Sequence, residues 1–383
     1  MKKTAQRIAH FKNSIFGVMS KLAREHQAVN LGQGFPDFDG PEWLKKIAAE
    51  KIDQGHGQYA PFPGTPSLRQ SVSDYYQRLY KLSYNPETEI TITVGATEGL
   101  FTTITACVDP GDEVIVLEPF YDSYVASIEM AGGVAVPVTM HAPDFSVREA
   151  ELEAAVSSKT KLLIVNNPHN PTGKVWEKNE LEAIARFAVK HDLLVISDEV
   201  YEFLLFDGAV HHPLALFPGM FERTFTISSA GKTFGLTGWK TGWICAPQTL
   251  SDAVRLVHQY VTFSVATPLQ EAVADGLKQL DTYLPVFQKT YKEKRDFFYQ
   301  GLRNLGFEFA IPRGTYFMMV PIRNKTELND VDFAMKLVKE HKLAVVPPSA
   351  FYLKSKQGAD YLRFCFAKKE ETLKAALTNL ERL

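Results

Sequence analysis

The amino-acid sequence predicts an α/β fold, in which a mostly parallel, seven-stranded sheet flanked by helices is joined to a smaller α+β domain. Seven short apolar runs, rich in β-branched residues, recur between positions 89 and 246. Segments with helical spacing of apolar residues separate several of these runs, which is typical of βαβ units with helices on both faces of a parallel sheet. After position 280 longer helical segments alternate with short strands, and this change of pattern indicates a second domain.

The seven predicted strands belong to a large domain at residues 40–280. They lie at 89–94, 113–117, 134–138, 162–165, 193–196, 224–228 and 242–246. A predicted helix at 97–108 follows the first strand. A second helix at 178–191 has Leu181, Ile184 and Ala188 at helical spacing, between two of the strands.

The smaller domain is predicted to combine residues 1–39 with residues 281–383. Its C-terminal part has predicted helices at 291–305, 331–341 and 369–383, and predicted strands at 307–311, 316–320 and 361–366. The N-terminal part holds one amphipathic stretch, 15–26, and the loop 30–37, which are too short to fold alone. We therefore expect them to pack against the small domain and the mouth of a site.

The composition of the chain excludes several classes of protein. With 42 basic and 44 acidic residues the net charge is −2, so the chain lacks the basic surface that nucleic-acid binding requires. No apolar run approaches the roughly 20 residues of a membrane span, and residues 5–13 are polar where a signal peptide is apolar. The three cysteines form no CxxC pair, which argues against disulfides and a zinc site. We expect a cytoplasmic protein without a metal and without nucleic-acid or membrane partners.

The segment from Ser228 to Lys240, which follows an apolar strand, carries the most informative lysine of the chain. Lys232 stands beside Gly231 and small hydroxyl residues, on a turn with little side-chain crowding. A lysine amine attacks a carbonyl only after losing its proton, and desolvation or a neighbouring charge such as Lys240 lowers its pKa. Lys232 is therefore a candidate nucleophile, with two solvated loop lysines as the alternative interpretation.

Two further strand exits carry polar groups at the carboxyl edge of the predicted sheet, where ligands bind in open α/β folds. Asp198 closes one strand, and a desolvated carboxylate there requires a cationic or N–H partner such as a pyridinium nitrogen. Tyr201 can donate to a phenolate oxygen. Asn170, held before Pro171, presents its amide as a donor. The alternatives are a helix N-cap for Asp198 and a simple tight turn around Asn170.

Small residues after the first strand of the large sheet predict an anion site. The chain passes from strand to helix through Gly95, which leaves the N–H groups of Ala96 and Thr97 free to hold a phosphate at the positive helix end. Ser229 and Lys240 can contact the remaining phosphate oxygens.

Two single residues complete the candidate site. Tyr121 follows the strand 113–117 and can lay its ring against a planar heterocycle, while a place in the core is the alternative. Arg363 is a cation among apolar residues of the strand 361–366, so it needs a carboxylate partner, which its planar fork binds bidentately. That partner is either a structural Asp or Glu or the carboxylate of a substrate.

These motifs resemble those of the pyridoxal-phosphate-dependent aminotransferases of fold type I, class I/II, over essentially the whole chain. Their order and spacing make the resemblance specific. Asn170 lies in Asn-Pro-His-Asn-Pro-Thr-Gly, Asp198 opens Asp-Glu-Val-Tyr at the next strand exit, and Lys232 ends the Ser-x-x-Lys motif that follows. Arg363 comes near the end of the chain.

The resemblance implies bound pyridoxal 5'-phosphate, with Lys232 as the Schiff-base lysine and proton shuttle and Asp198 as the partner of the pyridine nitrogen. The other implied contacts are Asn170 and Tyr201 at the phenolic oxygen, Ala96, Thr97, Ser229 and Lys240 at the phosphate, Tyr121 against the ring, and Arg363 with the Gly34 backbone at the substrate carboxylate. In this family a tyrosine of the other subunit reaches the phosphate. Tyr59 matches it, which implies a homodimer with shared active sites.

Within the family, the segments around Lys232 and at 33–38 look similar to the branch of bacterial methionine aminotransferases. The implied reaction is ping-pong transfer of an amino group from methionine, and also from aromatic amino acids, to a 2-oxo acid. Phe16, Phe263 and Phe351 are apolar where that branch lines the side-chain pocket, and Lys240 stands where the aspartate enzymes have arginine. The alternative is a kynurenine or glutamine aminotransferase with cysteine-S-conjugate β-lyase activity.

A regulatory protein that keeps the fold without catalysis is a further alternative. Aminotransferase-like domains of transcription regulators carry an extra DNA-binding domain. Here only the segment 1–39 precedes the predicted large domain, and it contains no basic recognition helix. Because a complete site argues for catalysis where a fold alone does not, the sequence favours an enzyme.

Overall fold

The computed structural model describes residues 5–383 and confirms an α/β fold built on a seven-stranded sheet. The strands of the protein, in chain order, are β1 (Val29–Asn30), β2 (Ile90–Val94), β3 (Glu113–Glu118), β4 (Val134–Thr139), β5 (Thr160–Asn166), β6 (Leu194–Asp198), β7 (Thr224–Ser229), β8 (Thr241–Cys245), β9 (Phe317–Pro321), β10 (Leu343–Ala344) and β11 (Tyr361–Cys365). All seven strands predicted for the large sheet are present within a few residues of their predicted ends.

The large sheet has the strand order β2–β8–β7–β6–β5–β3–β4. Strand β8 is antiparallel to both of its neighbours, and the other pairs are parallel. The carboxyl ends of β2 to β7 therefore lie at one edge of the sheet, and the first residue of β8 lies at that same edge. The loops that follow β2, β3, β5, β6 and β7 and carry predicted site residues therefore all begin at this edge of the sheet.

Helices surround the sheet. They are α1 (Ile15–Glu25), α2 (Glu42–Asp53), α3 (Pro66–Tyr80), α4 (Gly95–Cys107), α5 (Ser123–Ala131), α6 (Glu149–Ala154), α7 (Lys178–Lys190), α8 (Ala230–Thr233), α9 (Gln248–Val261), α10 (Thr267–Leu277), α11 (Leu280–Asn304), α12 (Asp330–His341) and α13 (Glu370–Leu380). No helix among residues 5–383 is both long and apolar enough to cross a membrane.

Both faces of the central strands are buried, as their uninterrupted apolar sequences require. Leu163 and Val195 pack in one apolar cluster, whereas Leu162 and Ile196 pack in another. Successive residues of a strand point to opposite faces, so the two clusters lie on opposite sides of the sheet. This double burial makes the centre of the sheet rigid enough to hold a site at its edge.

Two small sheets join distant parts of the chain. Strand β1 is parallel to β10, with Val29 opposite Leu343, and β9 is antiparallel to β11, with Met319 opposite Arg363. The N-terminal segment thus packs against the C-terminal third of the chain, as expected. The grouping of residues 1–39 with 281–383 into one small domain stays a prediction.

The predicted strand at 307–311 is absent, and this prediction was wrong. The segment lies in an irregular loop directly after α11. Its backbone bonds to that helix, since Phe307 N–H donates to the Leu302 carbonyl and Tyr299 Oη donates to the Phe309 carbonyl. The apolar residues that suggested a strand instead cover the helix end, because Phe307 is buried.

Glu118, the last residue of β3, ties the large sheet to the C-terminal part of the chain. Its buried carboxylate accepts hydrogen bonds from the N–H groups of Leu353, Lys354 and Ser355 at 2.7, 3.0 and 2.8 Å. It also accepts one from Thr139 Oγ1 at 2.8 Å. Hydrogen bonds to a buried charge are among the strongest in a protein, so this carboxylate holds the loop in place.

We predict that Glu118→Gln lowers the free energy of unfolding by about 2–3 kcal/mol, because the amide lacks the charge and one acceptor oxygen. Urea unfolding followed by circular dichroism measures the change. Glu113→Gln is the matched control, since Glu113 begins the same strand but its side chain bonds only to hydroxyl groups of Ser157 and Thr160. Equal losses in the two variants would contradict a special role for Glu118.

Candidate active site

A cavity of about 280 Å³ lies at the carboxyl edge of the large sheet. It brings together all of the predicted site residues except Tyr59, Phe263 and Phe351. Those that line it are Phe16, Gly34, Gly95, Ala96, Thr97, Tyr121, Asn170, Asp198, Tyr201, Ser229, Lys232, Lys240 and Arg363. The size and the mixture of aromatic and charged side chains suit a small-molecule ligand.

Lys232 lies on the short helix α8, directly after β7, and its side chain enters the cavity. Its Nζ donates to Tyr316 Oη at 2.8 Å and to the Gly34 carbonyl at 3.3 Å. Desolvation, reinforced by the charges of Lys240 and Arg363, lowers the pKa of Lys232 to about 8. Lys232 is therefore not a solvated loop lysine, and near neutral pH its amine is unprotonated more often than that of an ordinary lysine.

Asp198, the last residue of β6, is buried. Its Oδ2 accepts from Tyr124 Oη at 2.6 Å, and its Oδ1 accepts from Val200 N–H at 3.4 Å. Burial raises the pKa of Asp198 to about 6, although these hydrogen bonds oppose the rise. The helix N-cap alternative is wrong, because turns rather than a helix follow Asp198. Within residues 5–383 this carboxylate forms no ion pair, so a cation placed against it would be stabilised.

The turn after β5 presents Asn170. Asn170 Oδ1 accepts from Arg363 Nη1 at 2.9 Å, and Asn170 N–H donates to Asn166 Oδ1 at 2.7 Å. Because arginine only donates, the Asn170 oxygen faces Arg363 and its amino group remains as the donor. The segment around Asn170 also forms the tight turn that was the alternative interpretation, since Gly173 N–H donates to the His169 carbonyl at 2.8 Å.

Arg363 lies in β11 and is only 1% exposed. Its Nη2 donates to the Gly32 carbonyl at 2.9 Å, and its guanidinium carbon lies 4.1 Å from the centre of the Phe317 ring. Its Nε has no hydrogen-bond partner in the described part of the chain. No Asp or Glu of that part forms an ion pair with it, so the structural-partner alternative is wrong. A buried, unpaired guanidinium that lines a cavity indicates an anionic ligand.

The N-terminus of α4 and Lys240 form a second candidate anion site in the cavity. Gly95 begins α4 with a φ of +68°, and a side chain there would come within 3.1 Å of Lys240 Nζ. A side chain on Gly242 would come within 2.8 Å of the Ala96 nitrogen. The close approach that these glycines permit leaves the helix N–H groups and a lysine around one small space, which fits a phosphate group.

Two tyrosines add hydroxyl donors to the cavity. Burial raises the pKa of Tyr121 to about 12 and also raises that of Tyr201. Both therefore keep their protons at neutral pH. The Tyr201 ring meets the Tyr316 ring edge to face, with centres 5.3 Å apart, which fixes its direction.

Three predicted residues do not line the cavity. Phe351 is buried behind it and packs against the ring of Phe16, with ring centres 5.8 Å apart. Tyr59 is 82% exposed and packs edge to face against Phe263, with ring centres 5.4 Å apart. Phe263 ends the turn after α9 with a φ of +67°, which directs it toward the loop that carries Tyr59. The sequence placed Phe263 in the substrate pocket by family resemblance, and in the single chain it belongs to this separate aromatic pair.

Sequence reasoning missed several residues of the cavity. Tyr124 follows Tyr121 closely, in the first turn of α5, and Asn166 ends β5 directly opposite Asp198. Their positions at strand exits were a usable signal. Phe317 also lines the cavity, and Tyr316 contacts Lys232 from behind it. Neither offered a signal, because both approach from a distant segment and have the pattern of ordinary core residues.

The fold and cavity define an α/β enzyme with a partly buried lysine, a buried aspartate and positive groups at two places, Arg363 and the start of α4 with Lys240. Residues 26–380 match the model of the family "Aminotransferase class I and II", and the chain belongs to this family. The expected resemblance is therefore confirmed, and the protein is an aminotransferase.

Several proteins of known activity or known structure are similar to this chain over nearly its full length. The chain is 42% identical over 370 residues to the methionine aminotransferase of Escherichia coli K12, which covers 97% of this chain and 96% of that protein. It is 41% identical over 419 residues to the kynurenine–oxoglutarate transaminase of Dictyostelium discoideum, and this match covers 100% of this chain and 96% of that protein. The structure of N-succinyldiaminopimelate aminotransferase from Mycobacterium tuberculosis superposes with a TM-score of 0.97 at 41% identity. The superposition covers 99% of this chain and 100% of that chain. Escherichia coli YbdL, which has a methionine aminotransferase function, superposes with a TM-score of 0.96 at 40% identity, covering 100% of both chains.

The raised pKa of Asp198 predicts a specific dependence of stability on pH in protein freed of ligands. The folded protein binds the Asp198 proton more tightly than the unfolded chain does. This protonation therefore contributes fully to the free energy of unfolding below pH 3.8, and the contribution is lost as the pH rises through about 6. Asp198→Asn removes this loss. The variant should therefore gain about 2 kcal/mol relative to the natural protein between pH 4 and pH 8.

Urea unfolding at a series of pH values measures this difference. Tyr124→Phe provides the opposite comparison, since it removes a hydrogen bond that favours the charged carboxylate and should steepen the loss of stability with pH. A parallel pH dependence in all three proteins would show that Asp198 titrates at its ordinary value.

Proposed function

We propose that the protein transfers the amino group of an L-amino acid, preferably methionine and also aromatic amino acids, to a 2-oxo acid by a ping-pong mechanism with pyridoxal 5'-phosphate. One observation carries this proposal. The buried guanidinium of Arg363, which has no carboxylate partner within the described chain, lines the same cavity as the Lys232 amine and the Asp198 carboxylate. An amino acid held by its carboxylate at Arg363 would bring its reacting carbon into the space that Lys232 enters.

The residues present fit the cofactor by their charge and position. The N–H groups at the start of α4, with Ser229 and Lys240, would hold its phosphate. Asp198 would pair with its ring nitrogen, and Lys232 would attach it as a Schiff base. When bound, the cofactor supplies an electron sink that stabilises negative charge on the substrate Cα.

The protein's own residues would perform three tasks. Asp198, charged when paired with a cation, would keep the ring nitrogen protonated. Arg363 and Asn170 would orient the substrate, since Asn170 Oδ1 already fixes the direction of the guanidinium. Lys232 Nζ, with its lowered pKa, would take the proton from the substrate Cα.

The surroundings of Arg363 support an apolar substrate side chain. The rings of Phe16, Phe317 and Phe351 have their centres 4.8, 4.1 and 5.3 Å from the guanidinium carbon. Besides Arg363, the cavity has only the cations Lys232 and Lys240 among the described residues, and both are assigned to the cofactor. A second substrate carboxylate would therefore lack a partner, which disfavours aspartate. The named activities of two relatives, on methionine and kynurenine, point the same way.

Donor preference tests the proposed function. We expect the purified protein to absorb as a pyridoxal-phosphate protein and methionine to shift that absorbance. We also expect kcat/KM for methionine to exceed that for aspartate or alanine by at least tenfold, about 1.4 kcal/mol. Lys232→Ala should have no turnover. Arg363→Lys, which keeps the charge and loses the bidentate fork, should raise KM for every carboxylate donor.

Three results would count against parts of this proposal. Full turnover by Lys232→Ala would remove the lysine from the mechanism. A tenfold preference for aspartate or alanine would contradict the assigned substrate class. Release of pyruvate and ammonia from a cysteine conjugate faster than 2-oxo acid turnover would favour the β-lyase activity.

We propose further that the protein is a homodimer in which Tyr59 of each chain completes the other chain's phosphate site. Tyr59 is far too exposed for an aromatic residue with a role in its own chain's cavity. The end of α9, which leads to Phe263, carries further exposed apolar residues, since Leu256, Tyr260 and Val261 are each at least half exposed. Large apolar side chains exposed near one another are typical of a protein contact.

Mixing inactive variants tests the shared site. Each site would combine Lys232 of one chain with Tyr59 of the other, so a hybrid of Lys232→Ala and Tyr59→Ala contains one intact site. Refolding the two variants together should restore about a quarter of the natural activity, because half of the dimers are hybrids. The control pair Lys232→Ala and Asp198→Asn should restore nothing, since both residues belong to the same chain's site. Equal recovery in both mixtures would contradict the proposal.

A further inference from the structure

Tyr316 lies just before β9 and contacts Lys232, although it belongs to none of the sequence motifs that predicted the site. It is 1% exposed, and its hydroxyl lies 2.8 Å from Lys232 Nζ and 2.6 Å from the Gly34 carbonyl oxygen. Lys232 Nζ also reaches the Gly34 carbonyl at 3.3 Å. The three groups form a closed triangle that joins the lysine to the N-terminal loop.

The direction of these hydrogen bonds follows from the donors available. A carbonyl only accepts, so the single hydroxyl proton of Tyr316 points to Gly34. Toward Lys232 the Tyr316 oxygen therefore acts as the acceptor, and the lysine N–H is the donor. The free amine of Lys232 is thus held by two acceptors, the Tyr316 oxygen and the Gly34 carbonyl oxygen.

The Tyr316 ring has no freedom to leave this position. It packs edge to face against Tyr201 with centres 5.3 Å apart and against Phe317 at 4.8 Å. Its other neighbour, Tyr291, stacks at 6.1 Å with an angle of 25° between the rings. A hydroxyl on a ring fixed in this way is a reference point for the flexible lysine side chain.

We propose that Tyr316 is a positioning residue for the reaction, which holds the free Lys232 amine at a fixed place and sets its affinity for a proton. This inference rests on the proposed function, in which Lys232 moves a proton at the substrate Cα. A four-carbon side chain without this contact has many positions available, and loss of alignment slows a proton transfer strongly. Through the same hydroxyl, Tyr316 links the lysine to Gly34 near the substrate carboxylate.

Several charged or titratable groups face the Lys232 amine besides Tyr316. Lys240 and Arg363 oppose its protonation, while Asp198 and the Cys365 thiol group act in the opposite direction. The Tyr201 ring centre lies 5.6 Å from Lys232 Nζ. Replacing Tyr316 by Phe leaves these charged groups in place and removes only the contacts of one hydroxyl, with Lys232, Gly34 and Tyr201.

Tyr316→Phe tests the proposal, with Tyr291→Phe as the matched control, because Tyr291 packs on Tyr316 and makes no hydrogen bond to Lys232. Competitive labelling with trace acetic anhydride, read by mass spectrometry, gives the pH midpoint of the Lys232 amine in ligand-free protein. Losing an acceptor destabilises the charged amine, so the midpoint should fall by about one pH unit in Tyr316→Phe. In the holoenzyme, kcat with methionine should fall at least tenfold, with a smaller change in KM.

An unchanged midpoint with unchanged kcat in Tyr316→Phe would overturn the proposal, and so would an equal shift in Tyr291→Phe. If Tyr316→Phe fails to fold, 3-fluorotyrosine at position 316 replaces it. That residue keeps the shape of the ring and is a weaker acceptor, so a smaller downward shift is expected and no shift overturns the proposal. The labelling result does not depend on turnover. A natural protein inactive with every donor would therefore contradict the proposed function while the Tyr316 contact is still judged separately.

Discussion

In the large sheet, Asn166 at the end of β5 lies opposite Asp198 at the end of β6, and Asp198 lies opposite Ile227 near the end of β7. This parallel register decides where the remaining parts of the site can lie. Neighbouring strands are only about 4.8 Å apart, so the turns that follow them emerge side by side. The antiparallel strand β8 starts at the same edge and brings Lys240 to it. A slip of one residue would turn these side chains into the core.

The cavity concentrates charges that the protein itself leaves unbalanced. Asp198 and Arg363 are both buried, and neither forms an ion pair with another described residue. Isolated buried charges cost several kcal/mol, and here neutral groups such as Tyr124 and Asn170 offset only part of that cost. A ligand with an anionic carboxylate at one end and a protonated ring nitrogen at another would complete both pairs. The uncompensated charges that destabilise the protein by itself would therefore favour binding of a ligand with this charge pattern.

The side of the cavity that contains Arg363 depends on contacts between segments that are far apart in the chain. Arg363 donates to the Gly32 carbonyl, and Tyr316 donates to the Gly34 carbonyl. The pairing of β1 with β10 brings this N-terminal loop to the C-terminal third of the chain. Glu118 then fixes that third to the end of β3. The positions of the lysine, the arginine and the loop between them are consequently set together.

The sequence by itself determined the seven strands, the sheet edge and most residues of the cavity, because strand periodicity and strand exits are local properties and the motifs have characteristic spacing. It did not determine the loop at 307–311, the aromatic pair of Tyr59 and Phe263, or the contact between Tyr316 and Lys232. Each of these depends on which distant segment a residue meets. The sequence pattern around an aromatic residue is the same whether the residue covers a helix end, lies on an exposed face or contacts a lysine. Only the packing of the folded chain distinguishes these outcomes, since packing brings together residues that no local pattern relates.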